Sequence, residues 1–234
     1  MLGTPRLHLR ATGSSSDHAR ALAAAGTPHG TLVTTDEQSA GRGRQGRTWS
    51  APPGRALLLS VVIRERFELL PLAAGLAVAR TVGDHAGIKW PNDVVIPAAD
   101  GSALKKIAGI LAEGRPQEGW AVIGIGLNVA VRIEDLPADL HETAATMGLE
   151  PGDRDAVLDR LLSELDAALR MSASELLDAY RERDALRGRR ITWNSGAGTA
   201  AGIDGTGRLV VGLDRGGTTA LDAGEVHLAL VGGA

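Results

Sequence analysis

Hydrophobic residues between positions 30 and 130 gather in short runs bounded by Gly, Pro, Asn and Asp, a spacing that suits strands better than long helices. The runs predict strands over 31–35, 56–63, 88–90, 94–96, 107–113 and 120–125. One stretch departs from this: Leu72, Leu76, Ala79 and Val82 recur at helical spacing and predict a single helix with a buried stripe. Strand and helix do not alternate regularly, so a doubly wound parallel sheet is excluded and an α+β fold is expected.

After Pro151 the period changes, and Leu158, Leu161, Leu162, Leu165 and Leu169 fall on one face of an amphipathic helix. A second helix follows at once, opened by Ser172 and Glu175 at capping-box spacing, with Met171 and Leu176 as the hydrophobic staple. The segment ends at Arg187-Gly188, with Arg181, Arg183 and Arg187 near a helix C-terminus, where the dipole favours cations. From Arg190 the pattern is β again, over 191–193, 199–203, 209–213 and 226–230, with turns at Asp204-Gly205 and Gly216-Gly217. Two domains are therefore expected, residues 1–187 and a small barrel over 188–234. The barrel is too small to stand alone, so Ile191, Trp193, Val210 and Leu228 should be covered in part by the larger domain.

Composition narrows the function. The 234 residues, 44% hydrophobic, suffice for one sizeable core, and a net charge of -3 gives the whole molecule no electrostatic drive toward nucleic acid or an anionic membrane. Any anion binding must be local. The absence of Cys excludes disulfides and thiolate metal sites and agrees with a cytoplasmic setting, while the six His residues show no ligand-like spacing. The longest apolar run, 56–63, is interrupted by Ser60 and is too short to span a bilayer.

Four segments carry candidate chemistry. In Gly41-Arg42-Gly43-Arg44-Gln45-Gly46-Arg47 three glycines are interleaved with three arginines after a predicted strand. The letters fit G-x-G-x-x-G, but Thr48-Trp49-Ser50-Ala51-Pro52-Pro53 follows and cannot be the helix that a dinucleotide site needs. Glycine amides and guanidinium forks suit a ligand with several negative oxygens, a triphosphate for example; a basic hairpin or an RNA-binding loop is the other reading. Lys89-Trp90-Pro91-Asn92-Asp93 is a tight turn between apolar strands, whose Trp and carboxylate suit an aromatic ring and a metal-bound phosphate or serve only the turn. Lys105 and Lys106 stand at the mouth of an apolar strand containing Gly109, as anion-neutralising or merely solvated lysines. Gly124-Ile125-Gly126-Leu127-Asn128 closes a strand with small residues and one amide.

In this order the four segments resemble the biotin protein ligase family, whose marks are Gly-Arg-Gly-Arg-x-Gly-Arg, Lys-Trp-Pro-Asn-Asp, Lys-x-Ala-Gly-Ile-Leu and Gly-x-Gly-x-Asn. The resemblance spans about residues 10–130. It implies a class II synthetase-like catalytic domain, a mixed β-sheet packed with helices, followed by an SH3-like barrel. The implied activity is ATP-dependent biotinylation of a lysine on a biotin carboxyl carrier protein, through biotinyl-5'-AMP. ATP, Mg²⁺ and biotin are the implied small molecules and the carrier is the implied partner, with no role for nucleic acid or membrane and a monomer or weak homodimer as the assembly.

Carried over residue by residue, Gln38, Gly41, Arg42 and Arg44 match the loop that closes over biotin and adenylate, with Arg42 and Arg44 near the carboxylate and phosphates. Lys106 matches the lysine bridging the biotin carboxylate and the α-phosphate, and these three cations are the implied catalytic residues. Asn92 and Asp93 match the pair near the phosphates and Mg²⁺, Trp49 and Asn128 resemble positions beside adenine, and Gly109 resembles the glycine lining the biotin slot. Ser14 and Ser15 are placed to bond the ureido group. The family's Ser-Thr-Asn is here Ser14-Ser15-Ser16, so Ser16 lacks the expected amide.

A lipoate or octanoate ligase has similar logic, but the Trp-Pro-Asn-Asp segment argues against it. A nucleic-acid-binding module, suggested by the Arg-Gly loop and Arg189-Arg190, is opposed by the net negative charge. Thirteen residues precede Ser14, too few for the helix-turn-helix domain of the family's repressor members, so no such role is expected.

Overall fold

The computed structural model describes residues 2–64, 68–98, 101, 103–222 and 226–228. A seven-stranded sheet organises the larger part. Its strands are β1 (Arg6–Leu9), β2 (Leu32–Thr35), β3 (Ala56–Ile63), β4 (Gly87–Lys89), β5 (Asp93–Pro97), β6 (Leu104–Arg115) and β7 (Trp120–Asn128), ordered β1-β2-β3-β7-β6-β5-β4. Only β1 and β2 pair in parallel, joined by α1 (Ser15–Ala24), so the sheet is mixed as expected.

The interior strand β3 reads Ala-Leu-Leu-Leu-Ser-Val-Val-Ile and is buried along its whole length. Alternation divides it cleanly between two faces. Leu57, Leu59, Val61 and Ile63 join the main core with α2 (Leu70–Val82) and α3 (Arg154–Arg170), whereas Ala56 and Leu58 enter a small cluster with Trp49 and Val62 packs against α1. Ser60 lies on this second face, between Leu58 and Val62. In β7 the same division sends Ile123, Ile125 and Leu127 to the main core and leaves Gly124, Gly126 and Asn128 opposite.

A bulge decides which lysine reaches that face. In the β5–β6 ladder Val94 pairs with Ala108 but Val95 pairs with Lys106, so Ile107 is an extra residue. The shift takes Lys106 out of step with core residues Ala108 and Ile110 and sets it in the row of Gly109, Leu111 and Glu113.

Helix α4 (Ala173–Arg181) begins with the predicted capping box: Glu175 N donates to Ser172 Oγ at 3.3 Å and Ser172 N donates to Glu175 Oε2 at 2.8 Å. The C-terminal strands β8 (Arg190–Trp193), β9 (Gly196–Ile203), β10 (Leu209–Leu213), β11 (Thr218–Leu221) and β12 (His227–Leu228) form an antiparallel sheet ordered β11-β10-β9-β8-β12. Among the described residues β11 and β12 do not pair with each other, so a closed barrel is not formed by them. Ile191, Ala200, Ile203, Leu209, Val211 and Val226 belong to the same hydrophobic cluster as α2, α3 and the main sheet. The expected docking is thus a shared core.

Some expectations shift. Trp90 leaves the strand and opens the turn, β6 starts at Leu104 and so includes both lysines, and β10 buries Leu209 and Val211 while Val210 faces outward. Positions 229 and 230 lie outside the described residues. Three elements had no expectation. β1 is a mostly exposed edge strand, α1 buries only Ser15, Ser16, Ala19 and Ala23, and β11 has no buried residue, so none presents a large-apolar stripe. Among the described residues no helix is long and apolar enough to cross a membrane.

Candidate active site

A cavity opens on the face of the sheet opposite the main core, above β3, β7, β6 and β5. Its walls come from the N-terminus of α1, the 41–49 hairpin, the Lys89–Asp93 turn and the Lys106–Leu111 segment, with Gly124, Gly126 and Val226 completing them.

At one end Ser14 is the N-cap of α1, and Ser14, Ser15 and Ser16 are all buried. Ser15 N donates to Gln38 Oε1 at 2.8 Å, fixing the glutamine against the helix start. Ser60 Oγ, fully buried, is 2.8 Å from Ser15 Oγ and 3.1 Å from Ser16 Oγ. These hydroxyls form a small polar floor beside Gly124, where a Cβ would come within 2.8 Å of Ser16 Oγ. Ser60 was not anticipated as a site residue. Its signal was in the sequence: a hydroxyl in an otherwise apolar strand needs a partner.

The Gly-Arg segment is a tight hairpin. Trp49 N donates to Gly41 O at 2.9 Å and Gly43 N to Arg47 O at 2.7 Å, with Gln45 and Gly46 at positive φ at the tip. Gly41 is required by crowding, since a Cβ there would run into Trp49 O and Gln38. It stands at the hairpin base and does not line the cavity. Arg42 borders the cavity, but its guanidinium contacts Asp17 at 2.9 Å and Glu113 at 3.3 Å. Arg44 Nη1 donates to Asn92 Oδ1 at 3.1 Å, and Asn92 Nδ2 to Ile110 O at 3.1 Å, tying the hairpin to the turn.

Lys106 Nζ is 2.7 Å from Asp93 Oδ1 and 5.5 Å from the centroid of the Trp49 ring. The indole lies on Gly109 and Gly126, which pair across β6 and β7; a Cβ at either would press into the ring. Trp49 therefore covers the glycine floor, and its Nε1 is buried without a hydrogen-bond partner. Asn128 is buried at the end of β7 and does not border the cavity: Nδ2 donates to Ala145 O at 2.9 Å and Oδ1 is left without a partner.

The described lining carries Arg42, Arg44, Arg47, Lys89 and Lys106 against one carboxylate, Asp93. Burial pushes the Lys89 ammonium below its ordinary value; Asp93 works against this, and Lys106 and Arg47 add to it. Arg44 is likewise lowered, first by burial and then by Arg47, with Asp93 opposing. Desolvated cations around one acid make a field that an anionic ligand relieves. Lys89, Arg47 and the Gly124–Gly126 pair extend the set anticipated from the sequence.

The match to known proteins agrees with this layout. Residues 15–129 match the model of the Biotin/lipoate A/B protein ligase family. The chain is 36% identical over 241 aligned residues to a Mycobacterium tuberculosis protein named biotin--[acetyl-CoA-carboxylase] ligase, an alignment covering 93% of this chain and 86% of that one. The chain belongs to the biotin protein ligase family. Solved members of that family share the fold. A biotin protein ligase from Aquifex aeolicus, in complex with biotin and ATP, superposes with a TM-score of 0.80 at 25% identity over 97% of this chain and 99% of that one. One from Leishmania major, in complex with biotinyl-5-AMP, gives 0.61 at 26% identity over 94% and 99%.

Proposed function

We propose that this biotin ligase activates biotin with ATP as biotinyl-5'-AMP and transfers the biotinyl group to a lysine of a biotin carboxyl carrier protein, releasing pyrophosphate and then AMP. The carrying observation is that buried serine hydroxyls at one end of the cavity meet a ring of cations around one carboxylate. A carboxylate oxygen attacking the α-phosphate brings two anions together, and the bond to pyrophosphate breaks as the anhydride forms. Lys106 and Arg44 would offset that repulsion, a kind of contact typically worth roughly 10²- to 10³-fold in rate. Ser14, Ser15 and Gln38 would hold the ureido end, with Gly109 and Gly126 as the floor of the slot once Trp49 lifts. The amide Oδ1 of Asn128, buried without a partner, would accept from an adenine amino group only where ligand binding opens the end of β7 to the cavity.

Among the described residues no cluster of three His, Cys, Asp or Glu is arranged to hold a metal. Mg²⁺ is commonly bound by one or two carboxylates together with substrate phosphates, and Asp93, beside Asn92, fits that mode. Bound there with ATP, it would neutralise phosphate charge. The C-terminal sheet is the counterpart of the SH3-like module implied by the resemblance, and residues 1–187 and 188–234 are the corresponding units.

The test is pyrophosphate release by the purified chain with Mg-ATP and biotin, lipoate or octanoate in turn. Biotin alone should support release. Equal turnover with lipoate would assign the chain to the lipoate branch.

A further inference from the structure

We infer that Arg42 is the anchor of the 41–49 hairpin, not a cation for substrate, and that Asp17 and Glu113 are positioning residues that hold it. Arg42 Nη1 is 2.9 Å from Asp17 Oδ1 and Nη2 is 3.3 Å from Glu113 Oε2. Arg20 grips the same two acids, at 3.3 Å to Glu113 and also to Asp17. Two arginines and two carboxylates alternate in a closed, neutral quartet. Asp17 and Arg20 come from one face of α1, three residues apart, and Glu113 from the site-facing row of β6, so three elements meet at the hairpin base beside Gly41.

The two arginines of the motif therefore differ in kind. Both terminal nitrogens of Arg42 are committed to carboxylates, and its charge is cancelled where it stands. Arg44 donates to the amide oxygen of Asn92, a partner that carries no charge to cancel its own, and is the one that a ligand oxygen can take over. The hairpin is thus fixed at Arg42 and free to re-pair at Arg44, and closing it over a ligand pivots on the quartet. All four side chains are 26–51% exposed, and exposed ion pairs contribute little to stability, so the quartet acts on hairpin geometry and not on the fold.

The inference rests on the ligase reading, and the test separates the two. Biotin KM, kcat and the lifetime of bound adenylate without carrier are measured for the full chain and for Asp17→Asn, Glu113→Gln, Arg42→Gln, Arg42→Lys and the Arg42→Gln/Glu113→Gln pair. Loss of the anchor should raise the biotin KM and shorten the adenylate lifetime roughly tenfold in Glu113→Gln and Arg42→Gln, with melting temperature unchanged. The double variant should be no worse than Arg42→Gln, and Arg42→Lys should recover part of the loss. If Arg42 is instead a substrate cation, removing its acids would leave activity unchanged or raise it, and Arg42→Gln would lower kcat whether or not Glu113 is present; either result overturns the assignment. A wild-type chain that releases no pyrophosphate with biotin and Mg-ATP removes the ligase reading itself.

Discussion

Lys89 shows how a single residue in the cavity couples binding to pH. Burial lowers its pKa from the ordinary 10.5, so in alkaline solution it gives up its proton earlier than an exposed lysine. Bound phosphates favour the ammonium, and ATP affinity should therefore fall as pH rises through that lowered value, with proton uptake on binding above it. Calorimetry across the alkaline range should show this limb in the parent chain and a flattened, weaker profile in Lys89→Met; an unchanged limb would remove Lys89 from the nucleotide end. At the other end, Ser60→Ala strips Ser15 and Ser16 of their shared partner. We expect biotin to bind roughly tenfold more weakly, the scale of about 1.4 kcal/mol, with ATP affinity unaffected; a loss shared equally by both ligands would make the serine floor merely structural. At this scale the sequence was most legible where polar residues break a local pattern. Arg44 stood out in an alternation of glycine and arginine, and Asn92 and Asp93 in a turn between apolar strands, while Lys106 was singled out from Lys105 by the resemblance. Trp49 lying across Gly109 and Gly126 was not legible, because two glycines on separate strands announce close approach without naming what approaches.

Elements were legible in proportion to their large apolar residues. β3 and α2 are buried almost throughout and α3 buries Leu158, Leu161 and Leu165 of its stripe, with Val82, Leu162 and Leu169 only partly covered, whereas α1 packs on the sheet through Ser and Ala and left no stripe to read. The β6 bulge is a third case: it depends on how two strands pair, which neither strand encodes alone, yet it sets which lysine faces the site. The segment after α4 carries its own prediction. Asp184 Oδ1 accepts from Leu186 N at 2.9 Å, while its Oδ2 is buried without a partner. Burial raises its pKa, against the pull of backbone hydrogen bonds from Leu186 and Arg187 and of the Arg187 charge. The folded chain thus holds the protonated form more readily than the unfolded one. That contribution to stability is complete below the unfolded value and is lost as pH rises through the raised folded value, where the buried group must ionise. Asp184→Asn keeps the acceptor and removes the charge. Thermal unfolding should show it more stable at neutral pH and close to the parent in acid. A variant less stable than the parent at neutral pH would contradict this.

At the scale of the whole molecule, the C-terminal sheet is tied to the site as well as to the core. Trp90 Nε1, in the turn that lines the cavity, donates to Gly207 O at 3.0 Å, and Val226 reaches the cavity wall. Gly207 has φ of +81° and faces Leu69 and Leu72, so that turn leaves no room for a side chain. The short strands and paired glycine turns marked this region as β in the sequence, but the shared core could not be read there because no local pattern records which face meets which. We expect a chain ending at Gly188 to melt at a much lower temperature and to bind ATP poorly, since truncation uncovers Trp90 and Leu72; a cooperative fold with unchanged ATP affinity would show the two parts to be independent. The central claim, that this cavity makes and delivers a biotinyl adenylate, is tested most directly by mass spectrometry of a biotin carboxyl carrier domain after incubation with the chain, biotin and Mg-ATP. One biotinyl group on a single lysine is predicted, with labelling lost in a folded Lys106→Ala variant; an unmodified carrier, or full labelling by that variant, would contradict the account.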